Sequence, residues 1–170
     1  TINADTAGDT GDVFMADGAV INAGTGQIDI DADVNVTLGS IQTTSTTEPS
    51  IEIDAIAGRV IDGGIADTDI VIGAGGTLAI RAATGVGSAD ALDTDMTTTT
   101  IAVTNATSGN IQIDNSTAAF ATSLLTVETV DGTVGIVNSG TGTVNLTNAS
   151  AINIEDNITS GGNITITLND

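Results

Sequence analysis

Chemistry in this sequence has to be carried by aspartate. His, Cys, Tyr, Trp and Lys are all absent, and Arg59 and Arg81 are the only basic side chains in 170 residues. Asp29, Asp31 and Asp33 alternate along one stretch, while Asp67/Asp69 and Asp93/Asp95, with Asp90 close by, form tightly spaced pairs. Such spacing suits a hard cation: calcium takes roughly six to eight oxygen ligands, and a row of carboxylates beside loop carbonyls can supply them. A solvated acidic face, or the turn-forming habit of Asp, accounts for the same residues without a ligand and is the commoner arrangement.

Other chemistries fail on composition or order. The calcium repeat of toxin-type β-rolls needs Gly-Gly-x-Gly-x-Asp, and Gly63-Gly64-Ile65-Ala66-Asp67-Thr68 departs from it at the fourth and sixth positions. Gly73-Ala74-Gly75-Gly76 runs into a strand pattern, with no Lys and no helix to aim amides at a phosphate. Asp67 and Asp69 with Arg59 or Arg81 are the pairing an acid/base enzyme would use, as in polysaccharide-active β-helices. Sugar sites, however, usually add aromatic platforms, and Trp and Tyr are missing, so the expectation is no enzyme. Threonines at 97–100 and at Thr165 and Thr167 raise an ice-binding face, but interleaved Asn and Asp break the regular array.

The net charge of −20 argues against nucleic acid and anionic membranes, because both need Lys and Arg to displace counterions. No apolar run approaches the roughly 20 residues that span a bilayer. Without Cys there is no disulfide framework, as in many secreted bacterial repeat proteins. The chain reads as a soluble portion of something longer.

The elements that must position these aspartates follow a period of two. Residues 28–38 alternate apolar and polar, which places Ile28, Ile30, Ala32 and Val34 on an inner face and Asp29, Asp31 and Asp33 outside. The alternation recurs at Ile51-Glu52-Ile53-Asp54, Ile111-Gln112-Ile113-Asp114, Val144-Asn145-Leu146-Thr147, Ile152-Asn153-Ile154-Glu155 and Ile164-Thr165-Ile166-Thr167-Leu168. Gly opens many of these runs, at Gly26-Gln27-Ile28, Gly76-Thr77-Leu78, Gly109-Asn110-Ile111, Gly132-Thr133-Val134, Gly142-Thr143-Val144 and Gly162-Asn163-Ile164. Gly-led strands at quasi-regular spacing are an internal repeat of roughly 20 residues per rung. One such rung cannot bury its own aliphatics, so parallel stacking has to supply the core.

Aromatics make up only 1% of the chain, against 40% hydrophobic residues, which favours a narrow aliphatic core over a sandwich. The expected fold is all-β: a right-handed parallel β-helix, or solenoid, over residues 1–170. Residues 1–20 read as an irregular first rung, and loop insertions are expected near 40–50, 84–100 and 115–123. Neither end reads as a cap, so the segment is expected to meet neighbouring repeats or to self-associate end to end.

The run Gly109-Asn110-Ile111-Gln112-Ile113-Asp114-Asn115 resembles the Gly-Asn-Ile-x-Ile-x-Asn repeats of filamentous haemagglutinin-like exoproteins. Gly85-Val86-Gly87, then Ala91-Leu92-Asp93-Thr94 and Ile101-Ala102-Val103, is similar to the linker that precedes such repeats, and the likeness covers residues 51–170. It implies a right-handed β-helix within a large secreted or surface-displayed bacterial protein of the two-partner secretion type, concerned with adhesion, biofilm or cell contact. Host or neighbouring cell surfaces or matrix would then be partners. The function so implied is a structural or adhesive stalk or fibre at the cell surface, with a calcium-dependent extracellular binding module as its rival.

Overall fold

A computed structural model describes residues 1–4, 10–64, 68–116 and 123–169. Among these there is no helix; parallel strands stack into a β-solenoid of about six turns. The first turn carries β1 (Ile2–Ala4), β2 (Val13–Phe14) and β3 (Val20–Asn22). The second carries β4 (Ile28–Ala32), β5 (Val36–Leu38) and β6 (Ser40–Thr43), and the third β7 (Ile51–Ala55), β8 (Val60–Asp62) and β9 (Ile70–Ile72). Next come β10 (Thr77–Ala82) with β11 (Leu92–Met96), then β12 (Thr99–Asn105) with β13 (Ile111–Asn115). The last turns hold β14 (Leu124–Val127), β15 (Ile136–Asn138) and β16 (Val144–Asn148), then β17 (Ala151–Ile154), β18 (Ile158–Ser160) and β19 (Ile164–Leu168).

Three faces result. The first sheet runs β1-β4-β7-β10-β12-β14-β17, with β15 on β12 and β18 on β15. A second runs β3-β6-β9-β11-β13-β16-β19, and a short third runs β2-β5-β8. Val86 bridges Val60 to Ile111, so the short sheet continues into β13 through a single residue. The length of a turn is not fixed. Ile111 pairs with Val144, 33 residues on, whereas Val144 pairs with Ile164, only 20 on. Corners absorb the difference while the register of the inward residues is kept.

That register explains the core. Ile2, Ile30, Ile53, Ile80, Val103, Ile136 and Ile158 form one column, each paired with the next through the first sheet. Ile28, Ile51, Leu78, Ile101, Val127 and Ile154 form a second. Each rung buries its aliphatics against the same residue types above and below, so one cluster runs from Val13 to Leu146. The expectation of an aliphatic core holds: Phe14 is 74% exposed, and no aromatic side chain is buried among the described residues.

The corners depart from the sequence reading in four places. Residues 28–38 are two strands rather than one, and Val34 sits half-buried at the corner between β4 and β5. Residues 40–50 open with β6, and residues 84–100 contain β11 and the start of β12, so neither stretch is loop throughout. Gly132-Thr133-Val134 does not open a strand. Val130 and Thr133 exchange backbone hydrogen bonds of 2.9 Å around Asp131 (φ 46°) and Gly132 (φ 73°), a reversal that requires left-handed backbone at both central residues. The remaining Gly-led strands are β4, β10, β13, β16 and β19. At Gly109 (φ 87°) the reason for Gly is plain: a Cβ would strike the Thr84 carbonyl of the turn below.

Candidate functional site

The outer faces are where the aspartates stand, and they separate into groups that the sequence alone did not distinguish. On the first sheet, Asp29 pairs with Glu52 and Asp31 with Asp54 in adjacent strands. Like charges directly opposite one another destabilise a sheet. Asp29 accepts from the Thr1 hydroxyl at 2.7 Å, Asp31 from the Asn3 amide at 3.4 Å, and Asp33 from the Gly11 N–H at 3.4 Å. The outward placement of this row is as the alternation requires.

Arg81 ends that acidic column. It stands next to Asp54 in register and donates to Glu52, to both Asp54 oxygens at 3.2 and 3.1 Å, and to the Asp131 carboxylate at 3.0 Å. Its second amino group also donates to the Asp131 carbonyl at 2.7 Å. Burial alone would lower the Arg81 pKa, but the bonds to Glu52, Asp54 and Asp131 outweigh it and raise it. Burial pushes the Glu52 carboxyl up, against the pull of Arg81.

The second acidic group lies between the short sheet and the second sheet. Asp69 is buried, 1% exposed, and its Oδ2 accepts from the Asp93 N–H at 2.9 Å. The two backbones also meet, the Asp69 N–H donating to the Asp93 carbonyl at 2.9 Å. Loss of hydration pushes the Asp69 pKa up to about 8; the bond from Asp93 opposes this, while the charges of Asp62 and Asp93 and a side-chain hydrogen bond with Asp62 add to it. Asp93 is raised as well, first by burial and then by Asp114, Asp62 and Asp90.

Asp93 and Asp95, expected in a loop, are both on β11, facing outward. Asp93 opposes Asp114, and Asp95 opposes Val71. Asp95 borders a shallow groove of about 400 Å³ with Asn22, Gln42, Val71 and Thr97, and burial raises its pKa. Asp67 lies outside the described residues. Among those described, no group of three or more acidic side chains converges as metal ligands would. Of the acid/base residues weighed from sequence, Asp69 is buried and Arg81 is engaged on a different sheet by Glu52, Asp54 and Asp131, while Asp67 lies outside the described residues.

Two features were not anticipated. Buried asparagines stack at the corners: the Asn105 amide donates to Asn138 Oδ1 at 3.0 Å, and the Asn115 amide to Asn148 Oδ1 at 2.7 Å. The signal was present in Asn ending the runs Ile101-Ala102-Val103-Thr104-Asn105, Ile111-Gln112-Ile113-Asp114-Asn115 and Val144-Asn145-Leu146-Thr147-Asn148. The other is the Asp131-Gly132 reversal, whose dipeptide is a strong short-range hairpin signal.

Apolar side chains stand exposed on β17 and β19. Ile154, Ile164, Ile166 and Leu168 are 51, 44, 40 and 49% exposed, although each continues an inward column of the turn below. The class that fold and surface define is the parallel β-solenoid. No protein-family model matches the chain, and neither a curated protein nor a solved structure matches it.

Proposed function

We propose that this solenoid is a structural and adhesive stretch of an extracellular bacterial protein of the filamentous haemagglutinin-like type, extending a stalk or fibre at the cell surface. The supporting observation is the stack itself, in which parallel strands repeat the same inward columns from turn to turn and each strand is the template for the next. Its inward column residues Ile154, Ile164, Ile166 and Leu168 are exposed where they would be buried beneath a further rung. Exposed columns of this kind leave both apolar area and strand hydrogen-bonding groups uncovered, and a parallel rung satisfies both. The role is non-catalytic, a reading supported by the burial of Asp69 and the saturation of Arg81.

Light scattering of the chain across a concentration series tests the stacking. Mass should rise with concentration, and more readily with added salt, since net charge −20 opposes association until it is screened. A variant carrying Ile154→Lys and Ile166→Lys should remain monomeric. A parent chain that stays monomeric at every concentration and salt level refutes the reading. Labelling of intact cells against the folded solenoid tests surface display separately.

A further inference from the structure

We propose that residues 128–135 form a strap latched across the outer face of the first sheet by Arg81, which opens as a unit when that cation loses its partners. The seven-residue strand β12 is continuous, but the strand above it is split: Thr99 to Ile101 pair with β14 and Val103 to Asn105 with β15. Residues 128–135 leave the sheet between those halves and fold back over the preceding turns. Val130 is buried against Ala79 and Ala102, a small cluster separate from the main core.

Ala79 and Ala102 occupy the outward column that begins with Asp29 and Glu52. The column turns uncharged where the strap lies on it. Polar contacts then reach back across the turns: Asp131 receives Arg81 through both carbonyl and carboxylate, and its own N–H donates to Glu48 Oε1 at 3.0 Å. Glu48 precedes β7, Arg81 is on β10 and Asp131 follows β14, so the latch reaches across the intervening β12 and joins segments 83 residues apart in sequence.

Beyond the latch the strap is tied at its two ends: the Glu128 N–H donates to the Ile101 carbonyl at 3.3 Å and the Thr129 hydroxyl to Asp156 at 2.7 Å, while the Gly135 carbonyl accepts from the Val103 N–H at 2.8 Å. The Val130–Thr133 pair between those ends is internal to the reversal. Asp131 holds its left-handed φ without the freedom of Gly. The apolar anchor is a single valine on two alanines. The strap therefore depends on Arg81 to a degree the rungs do not, because each rung is held by its own ladder and core column. Opening bares the Ala79–Ala102 strip, an uncharged patch on an acidic face.

Amide hydrogen exchange resolves the strap from the rungs. In Arg81→Gln, the Val130, Asp131 and Thr133 amides should exchange about tenfold faster or more, while those of Ile53 and Ile80 keep their protection, as expected for local opening. Asp131→Asn removes one ion pair and leaves Glu52 and Asp54 paired, so it should shift the same three amides by a smaller factor even where Arg81→Gln fails to fold. In the parent chain, salt near 1 M, where the screening length is about 3 Å, should also speed exchange of those three amides selectively. Unchanged strap exchange in Asp131→Asn and at high salt overturns the proposal. So does an acceleration shared equally by Ile53 and Ile80, which would make the strap part of the rungs.

Discussion

Single residues here carry charge that the fold has to manage. Asp69 is the sharpest case. Its pKa is about 8 in the folded chain against an ordinary 3.8, so the folded state holds a proton that the unfolded chain releases far more readily. The stabilising contribution is complete below about pH 4 and is lost as pH rises through 8, with a ceiling of about 1.4 kcal/mol per pH unit for one proton. Glu52, Asp93 and Asp95 are raised too and tilt the profile the same way. Stability by chemical denaturation should therefore fall from pH 4 to pH 8, and Asp69→Asn should flatten part of that slope. A parent profile that rises over the interval would contradict the burial of this acid. The buried amides are equally specific. Asn148→Ala removes the Oδ1 that accepts from both Asn115 and Ser123, leaving the Asn115 amide with the Met96 carbonyl alone and the Ser123 hydroxyl without its partner. The cost should be about 1–3 kcal/mol, read as a lowered urea midpoint at unchanged slope.

At the level of the element, the strand is short and its corner decides. Gly109 accepts a backbone angle and a close approach that a side chain cannot, and Gly142 above it would likewise drive a Cβ into the Gly109 carbonyl. Gly109→Ala should destabilise by about 1–3 kcal/mol through strain, whereas Gly24→Ala should meet no steric contact and lose less. Paired thermal melts check the contrast. Inward positions answer to packing instead. Ile53 lies midway along its column between Ile30 and Ile80, fully buried, and truncation to Ala should cost about 2–5 kcal/mol. Both effects pass to neighbouring turns, because every strand is the template for the next.

For the molecule as a whole, the solenoid is a stack of interfaces, and its behaviour should follow from how each turn covers the next. The alternating strands, the glycine-led corners and the largely aliphatic core were legible in the sequence, because a period of two is a local requirement that each rung repeats and glycine leads β4, β10, β13, β16 and β19. Aspartates on the outer face were legible for the same reason, since alternation dictates which way Asp29 and Asp31 point. What the sequence left undecided is which residues meet across turns of unequal length. Asp69 and Asp93 are 24 apart, Asn115 and Asn148 33 apart, and Glu48 and Asp131 83 apart. No fixed repeat predicts those pairings, because each depends on how much chain the corners absorb. Alternation within a rung thus determined the fold class and the facing of the charges. Only the stacking of rungs decided that Asp69 is buried, that Arg81 closes an acidic column, and that residues 128–135 lie flat on the sheet, because contacts between turns are set by register in three dimensions and not by spacing along the chain.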